Sequence, residues 1–172
     1  LAYWGNAAFF IGRDWESAMS YCNYYSYGYS FILMLIMSLP ISSLMMYRFA
    51  IIANALFMVA SFLVSYYLFI RLLPQKNKSF VSIACMAVAL YASYVVQSNV
   101  TWPECYLVLF VWLILLQGYL VCKKTTIGRV IVFGVELVYI YMIHQRTVPF
   151  LVAGVFLIIL LAVRKKVPIK YL

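Results

Sequence analysis

The chain is poor in charged residues. They make up 10% of its 172 residues, whereas hydrophobic residues make up 67%. Ordinary soluble domains carry about 25% charged residues. A soluble domain of this length could not bury so much apolar surface, because small domains leave a large share of their surface in contact with solvent. The scarcity of charge therefore excludes the soluble globular class and predicts an integral membrane protein.

Acidic residues, histidine and cysteine are scarcer still, with four carboxylates, one histidine and four cysteines. The cysteines lie far apart in sequence, and no CxxC or Cys/His spacing typical of a metal site occurs. The net charge of +9 does not indicate a nucleic-acid partner, because the basic residues form short clusters between apolar runs. Membrane topology explains the basic excess instead.

Five apolar runs approach the length of about 20 residues that a helix needs to cross a bilayer. A sixth run, 31–46, has sixteen residues with Pro40 inside it, which favours a re-entrant or interfacial helix. The sequence thus predicts an all-α polytopic protein, with residues 1–46 forming the first extracytoplasmic loop with its juxtamembrane helices and 47–172 the transmembrane region. The five predicted spans lie near 48–72, 80–98, 104–122, 130–146 and 148–163.

The positive-inside rule orients these spans. If 31–46 does not cross, ten of the 13 Lys and Arg residues fall on one side, and only Arg13, Arg48 and Arg146 fall on the other. The rule assigns the side with ten basic residues to the cytoplasm, so residues 1–46 would lie outside. If 31–46 did cross, the later helices would keep their orientation, so the rule fixes those helices more firmly than the sixth run.

The outer face is expected to collect the polar groups that could do chemistry. Asp14 lies in the first loop, Glu104 in the second, and His144 with Arg146 in the third. Each also has a structural explanation: Asp14 could cap a helix, Glu104 follows Pro103 as in a first helical turn, His144 could lie at the interface, and Arg146 could bind headgroups. Together they favour a substrate-binding site, since Arg and His suit an anionic phosphate.

Tyrosine is concentrated in SYCNYYSYGYSF, residues 20–31, where five of twelve residues are tyrosine. A belt of tyrosines at the membrane interface explains this composition, because the ring lies in the apolar layer and the hydroxyl in water. A functional alternative is that Tyr25, Tyr27 and Tyr29 line the entry of a lipid-linked substrate.

Glu136 lies near the middle of the run 130–146, where a carboxyl group is costly and usually faces protein or a cavity. It could serve as a proton relay in a transporter. A protonated, hydrogen-bonded structural group is the favoured interpretation. Asn54 and Gln117 are predicted to form interhelical hydrogen bonds.

Several stretches in their order, AYWGNAAFFIGRDW, YYSYGYSFIL, YRFAIIANAL, SNVTWPE and HQRT, resemble the start of a polytopic GT-C glycosyltransferase. The nearest relatives would be bacterial family 39 proteins, akin to protein O-mannosyltransferases and aminoarabinose transferases. The resemblance implies an incomplete GT-C transmembrane core, a polyprenyl-phosphate-linked sugar as donor, and transfer on the extracytoplasmic face to a lipid, glycan or protein acceptor. It leaves the need for a divalent metal open.

The resemblance also implies roles for particular residues. A catalytic Asp is expected upstream of Leu1, so the chain is expected to be a fragment of a larger protein. Glu104 matches the family's second acidic position, and His144 with Arg146 match a position near the donor phosphate. Asp14 matches a later Gly-x-Asp-Trp stretch rather than the base. The family's Lys or His at the juxtamembrane turn is absent, and the tyrosines occupy that region.

The sequence therefore predicts a fragment of a glycosyltransferase in the bacterial plasma membrane, in contact with the lipid bilayer. Two alternatives stay open. One is a transporter or flippase module for lipid-linked glycans, in which Glu136 and other intramembrane polar residues line a pathway. The other is a non-catalytic assembly subunit, in which the outer polar cluster is only structural.

Overall fold

The described part of the chain is helical throughout. The computed structural model describes residues 2–15 and 26–164, and these two ranges contain no strand. This confirms the predicted all-α class. The helices are α1 Ala2–Phe10, α2 Ser30–Met37, α3 Ser43–Leu72, α4 Lys78–Ala89, α5 Ala92–Ser98, α6 Glu104–Lys123, α7 Ile127–Ile143 and α8 Val148–Val163, with a 3-10 turn at Gln145–Thr147 before α8.

Three helical segments are long and apolar enough to cross a membrane: Ser43–Leu72, Glu104–Lys123 and Gln145–Val163. The bent pair α4 and α5, with 55° between its halves, would make a fourth if it forms one span. The five predicted spans are therefore not confirmed. The predicted span 130–146 corresponds to α7, which has 17 residues and is about 26 Å long, against about 30 Å of hydrocarbon.

The run 31–46 does not form one helix. It is divided between α2, a bend at 38–40 and the first residues of α3. Pro40 explains the division, because a proline has no N–H and disfavours a helical residue before it. The eight-residue α2 is about 12 Å long, which is too short to cross the hydrocarbon. Helix α3 in turn begins at Ser43, five residues before the predicted span.

The long helices pack in chain order. Helix α3 packs against α6 and α4, α6 packs against α7, and α7 packs against α8. Short connections between neighbours make successive helices antiparallel. One buried apolar cluster joins α1, α2 and the ends of α6 and α7 around Tyr29, and a second joins α6, α7 and α8 around Leu137.

Three separate segments meet at one end of this bundle, which we call the His144 end. They are 26–29, 99–103 and 143–147. The Gly28 N–H donates to the carbonyl of Met142 at 2.7 Å, and the Trp4 indole N–H donates to the hydroxyl of Thr101 at 3.0 Å. The antiparallel packing therefore brings together the loops in which the sequence places its polar candidates.

The opposite end, which we call the basic end, collects most of the cations. Arg129 shows how they are used there, because its guanidinium donates to the carbonyls of Leu120 and Lys124 at 2.9 and 3.1 Å and so caps the end of α6. Of the ten Lys and Arg residues among the described residues, seven lie at this end: Arg71, Lys76, Lys78, Lys123, Lys124, Arg129 and Arg164.

Large apolar side chains cover the outside of the bundle. Leu56 and Leu63 on α3 are 61% and 56% exposed, and Val135 on α7 is 62% exposed. Contiguous apolar surface of this kind is unusual on a soluble monomer. The exposed helix faces are therefore compatible with contact with lipid.

Candidate functional site

The predicted site residues fall into two groups at the His144 end. Asp14 and Tyr27 line one cleft, whereas Tyr29, Glu104 and His144 lie around the start of α6 and the end of α7. Arg146 follows His144 in the 3-10 turn. Tyr25 lies outside the described residues.

The cleft beside α1 has a volume of about 470 Å³. Gly12 adopts a positive φ of 70° after α1, a conformation that glycine adopts without strain, and the chain then turns back toward α2. The Arg13 guanidinium donates to the carbonyl of Met37 at 3.3 Å, which fixes this turn against α2. The cleft therefore combines one cation, the Asp14 carboxylate and the Tyr27 phenol at a mostly apolar opening.

Tyr29 is fully buried. Its hydroxyl donates to Oδ1 of Asn54 at 3.0 Å, and Nδ2 of Asn54 donates to the carbonyl of Val100 at 2.8 Å. Burial raises the pKa of Tyr29 well above its usual value, although the Asn54 hydrogen bond acts in the opposite direction. Tyr29 thus ties three elements together as a neutral donor, and its side chain does not reach a surface open to a ligand.

The backbone next to Tyr29 docks on the end of α7. The Tyr139 hydroxyl donates to the carbonyl of Gly28 at 3.0 Å, and the Tyr106 hydroxyl donates to the Tyr139 oxygen at 3.1 Å. A Cβ at position 28 would lie 2.6 Å from the backbone nitrogen of Ile143. The close approach therefore requires glycine.

His144 follows the last residue of α7, and its Nδ1 accepts the backbone N–H of Arg146 at 3.2 Å. Burial lowers the pKa of His144, the Arg146 charge lowers it further, and Glu104 raises it. His144 therefore lies within electrostatic reach of both Arg146 and Glu104, although these residues come from two different connections. The neutral imidazole leaves Nε2–H as a donor, because Nδ1 is already an acceptor.

Glu104 is the first residue of α6, directly after Pro103. Its Oε2 is buried and accepts no hydrogen bond from the described residues, and the same is true of Oε1 of Gln97 in α5. Both residues line one cavity of about 350 Å³ between α5 and α6. The sequence reasoning missed Gln97, because a lone glutamine before a proline-led helix carries no signal of its own.

The polar residues within the apolar helices differ in their hydrogen-bond partners. Gln117 Nε2 donates to the carbonyl of Arg129 at 3.3 Å, so the predicted interhelical bond between α6 and α7 is confirmed. Asn54 bonds to Tyr29 and to the 99–103 loop rather than to another long helix. Oε2 of Glu136 is buried and has no hydrogen-bond partner within the described ranges.

No group of three His, Cys, Asp or Glu side chains that could hold a metal ion occurs among residues 2–15 and 26–164. The polar groups of the site are instead spread over the turn after α1, the start of α6 and the turn after α7. The arrangement is suited to hydrogen bonding and charge recognition of a ligand from several sides.

The chain matches no protein-family model, no curated protein and no solved structure. The resemblance to GT-C glycosyltransferases therefore stays a prediction.

Proposed function

We propose that the chain is part of an integral-membrane glycosyltransferase. It would move a sugar from a polyprenyl-phosphate donor to a lipid, glycan or protein acceptor on the extracytoplasmic face of a bacterial plasma membrane. The observation that carries the proposal is the position of His144 at the end of the bundle opposite the basic end. Its Nδ1 accepts the Arg146 backbone N–H, and it lies within electrostatic reach of Glu104 from a separate connection. In this proposal α4 with α5 forms one bent span and α7 also crosses. Together with the three long apolar segments, this gives five crossings.

The residues of the His144 end suit the charge changes of such a reaction. Transfer breaks the bond between the anomeric carbon and the lipid phosphate, and the leaving phosphate carries negative charge. Arg146 would hold that charge, since a guanidinium binds phosphate oxygens through two parallel hydrogen bonds. The Nε2–H of neutral His144 would donate a further bond to the same oxygens. Glu104 would accept hydrogen bonds from hydroxyl groups of the sugar.

The proton of the acceptor hydroxyl needs a base. In the resembled family that base is a separate Asp, so Glu104, His144 and Arg146 are assigned to substrate binding. The cleft at Asp14 and Tyr27 would take a neighbouring part of the donor or the acceptor.

A transfer assay on membranes tests the proposal. The complete product of the gene is expressed, and sugar transfer is measured from a short-chain polyprenyl-phosphate sugar labelled with a fluorophore on its lipid. We expect Arg146→Ala to lower kcat/KM by roughly tenfold or more, because a hydrogen bond to a charged group contributes about 1.5–3 kcal/mol. Arg48→Ala is the matched control, because Arg48 is an exposed arginine whose guanidinium contacts the sulfur of Met45.

Two results would contradict this proposal. Wild-type transfer in both Arg146→Ala and Glu104→Gln would favour a non-catalytic assembly subunit. Movement of lipid-linked glycan across vesicles without any new glycosidic bond would favour a transporter. The buried, unpartnered Oε2 of Glu136 is the observation that favours the transporter, because a carboxyl group of this kind in an apolar helix is typical of a proton pathway.

A further inference from the structure

The cavity between α5 and α6 is mostly apolar, and two polar side chains, Gln97 and Glu104, line it. Its volume of about 350 Å³ lies at the small end of the range of ligand pockets, about 300–1,000 Å³. Apolar side chains of α4 and α6 form most of its wall, and two aromatic rings contribute to it. The residues that the argument uses are Tyr94, Gln97, Glu104, Val108 and Trp112.

Two acceptor atoms in this cavity have no donor. Oε2 of Glu104 and Oε1 of Gln97 are both buried, and neither accepts a hydrogen bond from a described residue. They belong to different helices, α6 and α5. Buried polar atoms in proteins are nearly always hydrogen-bonded, so an orphaned pair in one cavity points to a missing partner. A carboxylate and an amide oxygen only accept, so the partner must donate.

The charge and the walls of the cavity indicate which kind of ligand could be the missing partner. A buried carboxylate needs a compensating cation more than it needs a neutral donor. His144 is an ionisable neighbour within electrostatic reach of Glu104, and burial holds its imidazole toward the neutral form by lowering its pKa, so it supplies little compensating charge. Trp112 and Tyr94 add aromatic faces, which attract cations through the ring quadrupole. The apolar wall around them suits a hydrocarbon substituent.

We infer that the cavity between α5 and α6 binds an organic ammonium ion, with the ammonium group between Glu104 and Gln97 and an apolar substituent against Val108 and Trp112. The ammonium site shares Glu104 with the proposed sugar transfer, but it goes beyond that reaction, since no step of the reaction requires the ammonium ion. Two kinds of molecule could supply this ammonium group: a free amine, or an ethanolamine phospholipid through its headgroup.

Binding of benzylamine to the full chain tests the inference. The protein is placed in nanodiscs of phosphatidylcholine, and its thermal unfolding midpoint is measured against benzylamine concentration. We expect a saturable rise with benzylamine, and no saturable rise with benzyl alcohol or benzoate, which have the same ring but no positive charge. An equal response to benzyl alcohol would overturn the inference.

Three variants locate the effect. Glu104→Gln and Gln97→Leu each remove one acceptor, and we expect benzylamine to bind roughly tenfold or more weakly to Glu104→Gln, since it loses a bond to a charged group. Val108→Phe fills the cavity, keeps both acceptor residues and should abolish the saturable response. Val95→Phe is the matched control, because Val95 lies on α5 but is 44% exposed and outside the cavity wall. A response that survives both Glu104→Gln and Val108→Phe would contradict the assignment.

A second set of nanodiscs shows whether the bound ammonium group belongs to a free amine or to a phospholipid headgroup. If ethanolamine headgroups occupy the cavity, adding phosphatidylethanolamine should weaken the apparent affinity for benzylamine by competition. An unchanged affinity identifies a free amine as the ligand. These readouts report binding alone, so a wild-type protein that binds benzylamine and shows no sugar transfer would contradict the proposed function and leave the ammonium site standing.

Discussion

At the scale of single residues, burial and the Arg146 charge lower the pKa of His144 and so favour its neutral form. Glu104 acts in the opposite direction and raises that pKa. The backbone N–H of Arg146 also donates to Nδ1, and a protonated Nδ1 could not accept that bond. Arg146→Ala should therefore raise the pKa of His144, because it removes the repelling charge and keeps the backbone donor. Glu104→Gln should lower it.

The chain has one histidine, so a pH titration of histidine side-chain NMR signals reports this residue alone. Arg48→Ala is the control and should leave the titration unchanged. A titration of Arg146→Ala identical to wild type would show that Arg146 does not act on His144.

The lowered pKa also has a consequence for stability. Between the folded value and the unfolded value of 6.5, the unfolded chain binds more protons, so stability rises with pH. The contribution of His144 is therefore present above pH 6.5 and is lost as the pH falls through the folded pKa. The unfolding midpoint of wild type should accordingly decrease more steeply below pH 6.5 than that of His144→Gln.

Asn54 is the residue whose loss should weaken the His144 end most. It is fully buried, accepts from the Tyr29 hydroxyl and donates to the carbonyl of Val100. Asn54→Leu should lower stability by about 1–3 kcal/mol, because the buried Tyr29 hydroxyl and the half-buried Val100 carbonyl would both lose their bond to Asn54. Tyr29→Phe should cost less, because Asn54 would keep its bond to Val100.

Thermal unfolding in detergent measures both changes. Asn99→Ala is the control, because Asn99 is an exposed asparagine of the same loop region and its side-chain donor bonds only to Val95 within its own helix. A midpoint for Asn54→Leu equal to that of Asn99→Ala would show that the buried network does not hold this end together.

At the scale of helices, the sequence located some boundaries and missed others for physical reasons. Helix α6 spans Glu104–Lys123, close to the predicted 104–122, because Pro103 and Lys124 mark both of its ends. The break near Leu90 between α4 and α5 was missed, because neither proline nor glycine marks it. An apolar run shows composition and length, and its bend depends on packing against α3 and α6.

The sequence pattern also does not predict which individual side chains are buried. The sequence pattern predicts one group of interfacial tyrosines at 20–31, yet Tyr27 lines an open cleft whereas Tyr29, two residues later, is fully buried. The difference arises because Gly28 and Tyr29 dock against α7 and α3. No local feature of the sequence reports a contact between residues 28 and 143.

The docking of the segment around Gly28 depends on the absence of a side chain. Gly28→Ala would bring a Cβ to 2.6 Å from the backbone of Ile143, and backbone cannot move aside as a flexible side chain can. We expect a loss of stability of about 1–3 kcal/mol, as for other overpacked sites. Gly134→Ala is the matched control, since its Cβ would meet nothing within 4 Å.

Hydrogen exchange locates the effect of Gly28→Ala. Exchange of the Gly28 segment and of the α7 end near Met142 should accelerate in this variant, because the bond between them is weakened. Gly134→Ala should leave both regions unchanged. Unchanged protection in Gly28→Ala would mean that the segment relaxes around the added methyl group.

At the scale of the whole molecule, charge separates the two ends of the bundle. Seven of the ten described Lys and Arg residues lie at the basic end, whereas the polar candidates Glu104 and His144 lie at the other. The sequence predicted this separation, because it depends on the order of apolar runs and basic clusters alone. The number of crossings depends further on α7, whose 17 residues leave it slightly shorter than the hydrocarbon is thick.

Cysteine labelling of intact cells decides whether α7 crosses. Single cysteines at Thr125 and Gln145, on either side of α7, are introduced after the native cysteines are replaced by serine, and a membrane-impermeant maleimide is applied from outside. If α7 crosses as proposed, Gln145→Cys should be labelled in intact cells, and Thr125→Cys only after the cells are permeabilised. Lys76→Cys is the control for the basic end and should behave like Thr125→Cys. Labelling of positions 125 and 145 from the same side would show that α7 does not cross. The loops of the His144 end could then not all lie on the outer face. Either the bilayer would separate Glu104 from Arg146, or α6 would have to pack differently against α7.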